Sequence, residues 1–211
     1  MKKIDYDTSI YNFKDLIKEE FNVTDLDNIQ SNENIFDREN DQKTEFHKKY
    51  YRLARKEKFQ ELYSRFLKEV ISPEYWENII YQAIPNFRIS FPNNVAVWEF
   101  HKDKNYRDIN WAEAVKEDNY FLPLTKAFDT NTIWVESEED KWDYSPMECN
   151  YGETIQRDGS NLRHWNKINA TWKSRISLDF RIIQKENYQE SRHGSINTGT
   201  KFKIGGYYNE L

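Results

Sequence analysis

The spacing of hydrophobic residues along the chain changes character near residue 80. Before that point apolar side chains recur at intervals of three and four, and no Pro or Gly interrupts residues 41–71. This pattern is typical of amphipathic helices. The pair Ser72-Pro73 predicts the end of the helical stretch, because the residue before a proline disfavours helical backbone angles. We therefore predict that residues 1–80 are helical and pack their apolar face on the remaining fold, although a partner-binding or substrate-capping helix would show the same pattern.

From residue 87 onward, apolar and polar residues alternate in short runs that are separated by turn-forming residues. Such runs predict β-strands with one buried face. The predicted strands are Phe87–Phe91, Val95–His101, Tyr120–Leu124, Thr132–Ser137, Glu153–Arg157, Leu162–Trp165 and Arg175–Ile183, with a closing piece near Lys201–Ile204. Many short strands joined by turn-rich loops favour a sandwich or a barrel.

The composition indicates the size and core of the protein and argues against some classes of partner, but it does not indicate a function. The chain has 211 residues, of which 37% are hydrophobic and 16% aromatic, so its core must rely on large rings. We expect one domain, with a helical part at 1–80, a β core at 85–185 and a closing segment at 186–211. The formal net charge of -5 argues against nucleic acid or an anionic membrane as the main partner.

Cysteine usage and hydropathy indicate the compartment. Cys149 is the sole cysteine, so no intrachain disulfide can form. The first residues lack the apolar region of a signal peptide, and no apolar run is long enough to span a bilayer. We therefore expect a soluble, cytoplasmic protein with a small-molecule substrate. A homodimer is compatible with the sequence.

The first candidate functional residues lie at the end of the predicted strand Val95–His101. His101 and Asp103 are two residues apart and therefore face the same side of an extended chain. An imidazole and a carboxylate held in this way supply two ligands of a 2-His-1-carboxylate site, which is typical of non-heme Fe(II) oxygenases. The motif is short, and a strand end that simply exposes two polar residues is the alternative. Glu99 shares this face, and we predict that it pairs with Arg181.

A second motif follows downstream, where His164 precedes Arg175 and Ser177 with the spacing His-x10-Arg-x-Ser. The combined pattern His-x-Asp … His-x10-Arg-x-Ser resembles the Fe(II)/2-oxoglutarate-dependent oxygenases. The local sequence is similar to the StrG-type family of that superfamily over roughly residues 85–185. The matching segments are 87–103, 119–125, 132–137 and 174–181.

The resemblance implies a fold, a set of cofactors and a role for each matching residue. The fold would be a double-stranded β-helix, a cupin-like jelly-roll barrel with helices packed outside. Fe(II) would bind His101, Asp103 and His164, and Arg175 with Ser177 would hold the distal carboxylate of the cosubstrate 2-oxoglutarate. With O2 as oxidant, the enzyme would be a dioxygenase that hydroxylates or oxidises a sugar, an aminosugar or a natural-product intermediate.

Further candidates rest on weaker signals. Arg88 and Asn119 could donate to the iron-proximal carboxylate of the ketoacid or to the substrate, and a structural hydrogen bond explains either equally well. We predict substrate contacts for Trp134, Glu136 and Asn166.

Three positions bear on the choice of ligands and on the pocket. His193 is the rival third ligand, and His47 is predicted to lie on the surface. Family members commonly carry Gly after the distal histidine, where this chain has Trp165. Because neighbouring side chains of a strand point in opposite directions, we expect this ring to face away from the triad.

Two other functions fit parts of the pattern. A cupin-type isomerase or dioxygenase could use the metal without 2-oxoglutarate, and a sugar-binding barrel could retain the fold without catalysis. The Arg-x-Ser pair favours the 2-oxoglutarate enzyme, because the other two classes have no need of it.

Overall fold

Three N-terminal helices pack in one hydrophobic cluster, and a fourth helix packs in another. The computed structural model describes residues 1–32, 42–76, 78–95, 100–106, 109–191, 193–195 and 199–211. The α-helices are α1 (Phe13–Phe21), α2 (Glu45–Leu53), α3 (Glu57–Phe66) and α4 (Ile109–Val115). A π-helical turn at Leu67–Ile71 extends α3 and leads into the 3-10 turn Ser72–Glu74, where the helical part ends as predicted. Within the described ranges, no helix combines the length and apolar composition needed to cross a lipid bilayer.

The strands form two antiparallel sheets. They are β1 (Lys2–Asp5), β2 (Ile79–Gln82), β3 (Asn86–Ser90), β4 (Asp118–Pro123), β5 (Ile133–Val135), β6 (Ser145–Pro146), β7 (Glu153–Arg157), β8 (His164–Asn166), β9 (Arg175–Gln184) and β10 (Tyr208–Glu210). The larger sheet has the order β1-β7-β4-β9-β2-β10, with β3 also paired to β9, and the smaller has the order β6-β5-β8. The hydrogen-bonded ladders of the described strands thus give two sheets of seven and three strands rather than a closed barrel.

The central strand of the larger sheet is β9. One side of β9 pairs with β3 and then β2, and its other side pairs with β4. Its apolar face, which includes Phe180, is buried with the helices: the Phe180 ring lies 5.6 Å from Tyr63 and 6.3 Å from Phe66 of α3, and it stacks on Tyr120 at 5.1 Å. Helices α1–α3 therefore pack on this face, as the amphipathic pattern predicts, whereas α4 packs in a separate cluster with Ile80 and Ile183. The opposite, polar face of β9 carries Arg175 and is turned toward the site described below.

Several predicted elements differ from the structure. The N-terminal part is not wholly helical, because β1 pairs with β7, and α2 and α3 are separate helices. No strand spans 201–204; the closing strand of the described chain is β10. Of the predicted strand Val95–His101, residues 96–99 lie outside the described residues, while His101 forms an isolated antiparallel bridge with His164 of β8.

Candidate metal centre

Backbone pairing brings the two predicted histidine ligands together. The His101 amide donates to the His164 carbonyl at 3.2 Å, the His164 amide donates back at 2.9 Å, and the ring centroids are 4.4 Å apart. Asp103 follows at the start of a 3-10 turn, and its amide donates to the Gly159 carbonyl at 2.9 Å. Asp103 Oδ1 lies 3.4 Å from Nε2 of each histidine. The three predicted ligands therefore converge on one point.

These separations fit a shared metal ion. Two ligand atoms that each lie about 2.1 Å from one ion, at angles between right and tetrahedral, are roughly 3.0–3.4 Å apart. The ligand atoms of His101, Asp103 and His164 all lie within 4.8 Å of one another. In the described ranges they are the one cluster of three His, Cys, Asp or Glu side chains with this geometry. Two imidazole nitrogens and one carboxylate oxygen form the donor set of a 2-His-1-carboxylate site.

The protonation of His164 supports the same conclusion. Its Nδ1 lies 2.9 Å from the Leu162 carbonyl, which can only accept, so Nδ1 carries the proton. Burial, together with the positive charge of Arg157, lowers the pKa of His164 and favours the neutral ring. The Nε2 lone pair then faces the Asp103 carboxylate, and a cation between the two relieves their repulsion.

The second oxygen of Asp103 is held by the larger sheet. Asp103 Oδ2 accepts from Asn119 Nδ2 at 2.7 Å and from Arg181 Nη2 at 2.9 Å. Burial alone would raise the pKa of Asp103, but the positive charge of Arg181 opposes it, and this pKa is held well below its usual range. The side chain is therefore a carboxylate whose Oδ1 is aimed at the two histidines.

Arg181 has partners that the sequence did not indicate. Besides Asp103, it lies 3.5 Å from Glu117 Oε2 and donates to the Tyr207 hydroxyl at 2.9 Å. Glu99 lies outside the described residues, so its predicted pairing with Arg181 stays a prediction; among the described carboxylates, Arg181 pairs with Asp103 and Glu117.

Arg175 is a fully buried cation on the polar face of β9, with 1% of its surface exposed. Its Nε donates to the Asn131 carbonyl at 3.0 Å, Nη1 to Ser177 Oγ at 2.7 Å and Nη2 to Asn166 Oδ1 at 3.1 Å. Burial lowers the pKa of Arg175 to about 10, so the guanidinium remains charged at neutral pH. No carboxylate of the described residues forms an ion pair with it.

One cavity joins the two features. The clustered side chains of His101, Asp103 and His164 line it, and so does Arg175. Other sequence-predicted candidates also line this cavity, namely Arg88, Asn119 and Asn166. The arrangement can hold a cation on one wall and pair an anion with a buried guanidinium on another.

Comparison with known proteins identifies the family. No protein-family model matches the chain. The chain is 30% identical over 209 residues to the streptomycin biosynthesis protein StrG of Streptomyces griseus, and the alignment covers 99% of this chain and 98% of StrG. The chain belongs to the StrG family.

Solved structures show the fold that this StrG-family protein adopts. The non-heme alpha ketoglutarate dependent carbocyclase SnoK from nogalamycin biosynthesis aligns with a TM-score of 0.59 at 11% identity, over 99% of this chain and 90% of SnoK. The non-heme monooxygenase ThoJ, in a Ni complex, aligns with a TM-score of 0.49 at 11% identity, over 86% of this chain and 71% of ThoJ. The StrG-family chain therefore shares the fold of SnoK.

Two predicted substrate contacts of the StrG-family protein have other hydrogen-bond partners in the described chain. The half-buried Trp134 donates from Nε1 to the Asp129 carbonyl at 3.0 Å. Glu136 is fully buried and accepts from the backbone amides of Arg163 at 2.6 Å and Trp142 at 3.4 Å. Neither is among the described residues that line the cavity, and the carboxylate of Glu136 ties two loops together instead.

The remaining candidates occupy different environments. Arg88 lies 3.8 Å from Asp179 across two paired strands. Trp165 follows His164 on β8 and packs its ring 5.9 Å from Phe100, and it does not line the cavity in the described part of the chain. His193 is exposed and lies outside the ligand cluster.

The surface position predicted for His47 is wrong. Its side chain is buried, with 2% exposed, and its ring centroid lies 5.2 Å from that of Phe87. Nδ1 is 2.9 Å from the Thr44 hydroxyl, and burial lowers the pKa of His47 to about 3. The signal was present in the sequence, because His47 lies one helical turn from the buried Tyr50 on the apolar face of α2.

Proposed function

We propose that this StrG-family protein is an Fe(II)- and 2-oxoglutarate-dependent oxygenase that hydroxylates or oxidises a small polar metabolite such as a sugar, an aminosugar or a natural-product intermediate. One observation carries the proposal: the His101, Asp103 and His164 cluster shares a cavity with Arg175, a buried cation without a carboxylate partner among the described residues. Homology to a streptomycin biosynthesis protein and the fold of SnoK support it. We further propose that the two sheets are the halves of a double-stranded β-helix.

In this proposal the metal ligands are His101 Nε2, Asp103 Oδ1 and His164 Nε2. Fe(II), when bound with 2-oxoglutarate, supplies the redox chemistry that activates O2. The chain's own contribution is orientation. The Leu162 carbonyl fixes the tautomer of His164, and Asn119 with Arg181 occupies the second oxygen of Asp103. Partners of this kind orient the ligands and typically change metal affinity 10- to 100-fold when they are removed.

Arg175 is suited to the far carboxylate of the cosubstrate. A guanidinium has five N–H donors, of which three are used by Asn131, Ser177 and Asn166. One N–H remains on each terminal nitrogen, and a planar fork of this kind matches both oxygens of a carboxylate. Because the side chain is fully buried, the incoming carboxylate would compensate a charge that the described protein leaves unpaired.

The other wall residues would complete the site. Arg88 remains a candidate donor to the cosubstrate or the substrate, since it lines the cavity beside β9. The amide of Asn119 is already committed to Asp103 through Nδ2, so its role would be to hold the metal ligand. The mostly buried residues of the cavity wall would limit the access of bulk water to the reacting groups.

Titration without oxygen tests the proposal directly. Fe(II) is added to the protein and then 2-oxoglutarate, while visible absorption is recorded. We expect a weak charge-transfer band that requires both additions and is absent in a His164→Ala variant. On admission of O2, succinate should form. Fe(II) binding at wild-type strength with neither a band nor an effect of 2-oxoglutarate would refute the proposal and favour a metal enzyme that does not use this cosubstrate.

A further inference from the structure

A second buried arginine lines the cavity, and beyond its electrostatic effect on His164 it has no assigned role. Arg157, the last residue of β7, is 7% exposed, and its Nε and Nη1 are buried without a hydrogen-bond partner in the described chain. Buried polar groups are nearly always hydrogen-bonded, and a guanidinium keeps its charge. Two orphaned donors on one buried cation therefore indicate a missing acceptor.

The sheet register places Arg157 at the metal end of the cavity. Arg157 on β7 pairs with Asn119 on β4, which pairs in turn with Arg181 on β9, and the latter two both donate to Asp103 Oδ2. By contrast, Arg175 lies six residues before Arg181 along β9, which corresponds to about 20 Å of strand. The unpaired donors of Arg157 and the anion site proposed at Arg175 are therefore at different places on the cavity wall.

A glycine makes room for Arg157 beside the metal ligands. A Cβ at Gly159 would lie 2.7 Å from Asn119 Cγ and 2.9 Å from Arg157 Nη1, closer than real side chains pack. The guanidinium and the Asn119 amide thus converge on the Gly159 backbone, whose carbonyl accepts from the Asp103 amide. This close packing indicates that the position of the Arg157 guanidinium beside the metal ligands is fixed by the fold.

Arg157 forms no ion pair among the described residues: Asp103 and Asp179 act on it at longer range, but each is closer to another arginine. Arg181 is paired with Asp103 and Glu117, and Arg88 lies 3.8 Å from Asp179. In the proposed function, 2-oxoglutarate would pair with Arg175, and the metal would add further positive charge near Arg157. A neutral substrate would leave the Arg157 cation buried and uncompensated, which is costly in a folded protein.

We propose that Arg157 anchors the substrate, and that the substrate carries an anionic oxygen group, a carboxylate or a phosphate, which pairs with this guanidinium. The inference rests on the proposed function and names the substrate class. Two unpartnered acceptors of the cavity wall, Asn119 Oδ1 and Asp179 Oδ1, would receive hydroxyl donors of the same molecule. A polyhydroxylated acid or a sugar phosphate satisfies both the orphaned donors and the orphaned acceptors.

The test uses the full chain loaded with Mn(II) and saturated with 2-oxoglutarate, so that the site at Arg175 is occupied. Inorganic phosphate and acetate are titrated separately by calorimetry into wild type, Arg157→Gln and Arg157→Lys. Arg163→Gln is the matched control, because that arginine pairs with Asp140 and does not line the cavity in the described part of the chain.

We expect at least one anion to bind wild type and the control alike, to bind Arg157→Gln at least 10-fold more weakly, and to bind Arg157→Lys with intermediate strength. The stronger of the two probes identifies the anionic group as phosphate or carboxylate. Without anion, the Tm of Arg157→Gln should equal or exceed that of wild type, since the variant removes an unpaired buried charge. A purely structural role would instead lower the Tm.

Two results would overturn the inference. One is that neither anion binds wild type, or that each anion that binds wild type binds Arg157→Gln equally strongly. The other is that Arg157→Gln weakens 2-oxoglutarate and not the probes, which would assign Arg157 to the cosubstrate. Failure of the proposed function is seen separately, because wild type would then fail to bind 2-oxoglutarate before any anion is added.

Discussion

Replacement of Arg175 by Met separates cosubstrate binding from folding. The change keeps an unbranched side chain in the buried position but removes the guanidinium. In the proposed complex it leaves a 2-oxoglutarate carboxylate desolvated and unpaired, which typically costs about 2–5 kcal/mol. This corresponds to a loss of affinity of about 30-fold to several thousand-fold. Arg175→Lys should recover part of the loss, because it restores the charge without the fork.

The effect of Arg175→Met on stability should be small by comparison. The variant loses three hydrogen bonds, to Asn131, Ser177 and Asn166, each worth about 0.5–1.5 kcal/mol. It also removes a fully buried charge without an ion-pair partner in the described chain, whose desolvation costs several kcal/mol. These contributions have opposite signs, so we expect the free energy of unfolding to change by less than the binding energy.

The assay is calorimetric titration of 2-oxoglutarate into Fe(II)-loaded protein without oxygen, alongside urea unfolding of each variant. Arg65→Met is the control, because Arg65 is 55% exposed and pairs with Glu69 on the helical side of the fold. Unchanged 2-oxoglutarate affinity in a folded, metal-loaded Arg175→Met protein would contradict the assignment of the cosubstrate carboxylate to Arg175.

Further predictions concern the metal and pH. In an anaerobic Fe(II) titration, His164→Ala should lose more than about 100-fold in affinity while His193→Ala stays at wild-type level; the reverse order would reassign the third ligand. Gly159→Ala should weaken Fe(II) about 10- to 100-fold, because its Cβ displaces the Asn119 amide that holds Asp103; an unchanged affinity would show that the amide is dispensable. The folded state binds fewer protons at His47 than the unfolded state, since burial lowers its pKa to about 3. Stability should therefore fall by about 2 kcal/mol as pH falls from 6.5 to 5, measured by urea unfolding, and His47→Gln should remove this part of the slope.

Most of the candidate site residues were predicted from the alternation of side chains along single strands. His101 and Asp103 are close in sequence, and Arg175 and Ser177 share one face of β9, so local alternation was enough to group each pair. The bridge between His101 and His164 is non-local, and it was reached through the family resemblance. The sequence therefore predicted which residues would converge, and the structure shows them lining one cavity with Arg175.

Residues that act across strands were missed because they depend on register. The positions of Arg157 and Arg181 beside Asp103 follow from the alignment of β7, β4 and β9, and the periodicity of a single strand holds no information about that alignment. The bounds of the strand Glu153–Arg157 were predicted correctly. Even so, the sequence did not show which residue of the neighbouring strand pairs with Arg157.

The sequence analysis missed two short strands for a different reason. Strand β1 has the sequence Lys-Lys-Ile-Asp and lies at the edge of the sheet, where charged residues are favoured, so its polarity hid it. Strand β2 is buried at every position and therefore shows no alternation. In both cases the tertiary position, rather than local preference, determines the strand.

The cavity differs in charge from the molecule that contains it. The chain has a net charge of -5, yet the described wall of this cavity carries the four arginines 88, 157, 175 and 181 against the two aspartates 103 and 179. Burial of a cation weakens a fold unless an anion compensates it, so core packing does not account for this excess. Arg181 and Arg88 form ion pairs with carboxylates, whereas Arg175 and Arg157 form none among the described residues and feel Asp179 only at longer range. In the proposed function and the further inference, their positive charge is directed at ligands: Arg175 on β9 and Arg157 on β7 would each pair with an anionic group, at different places on the cavity wall.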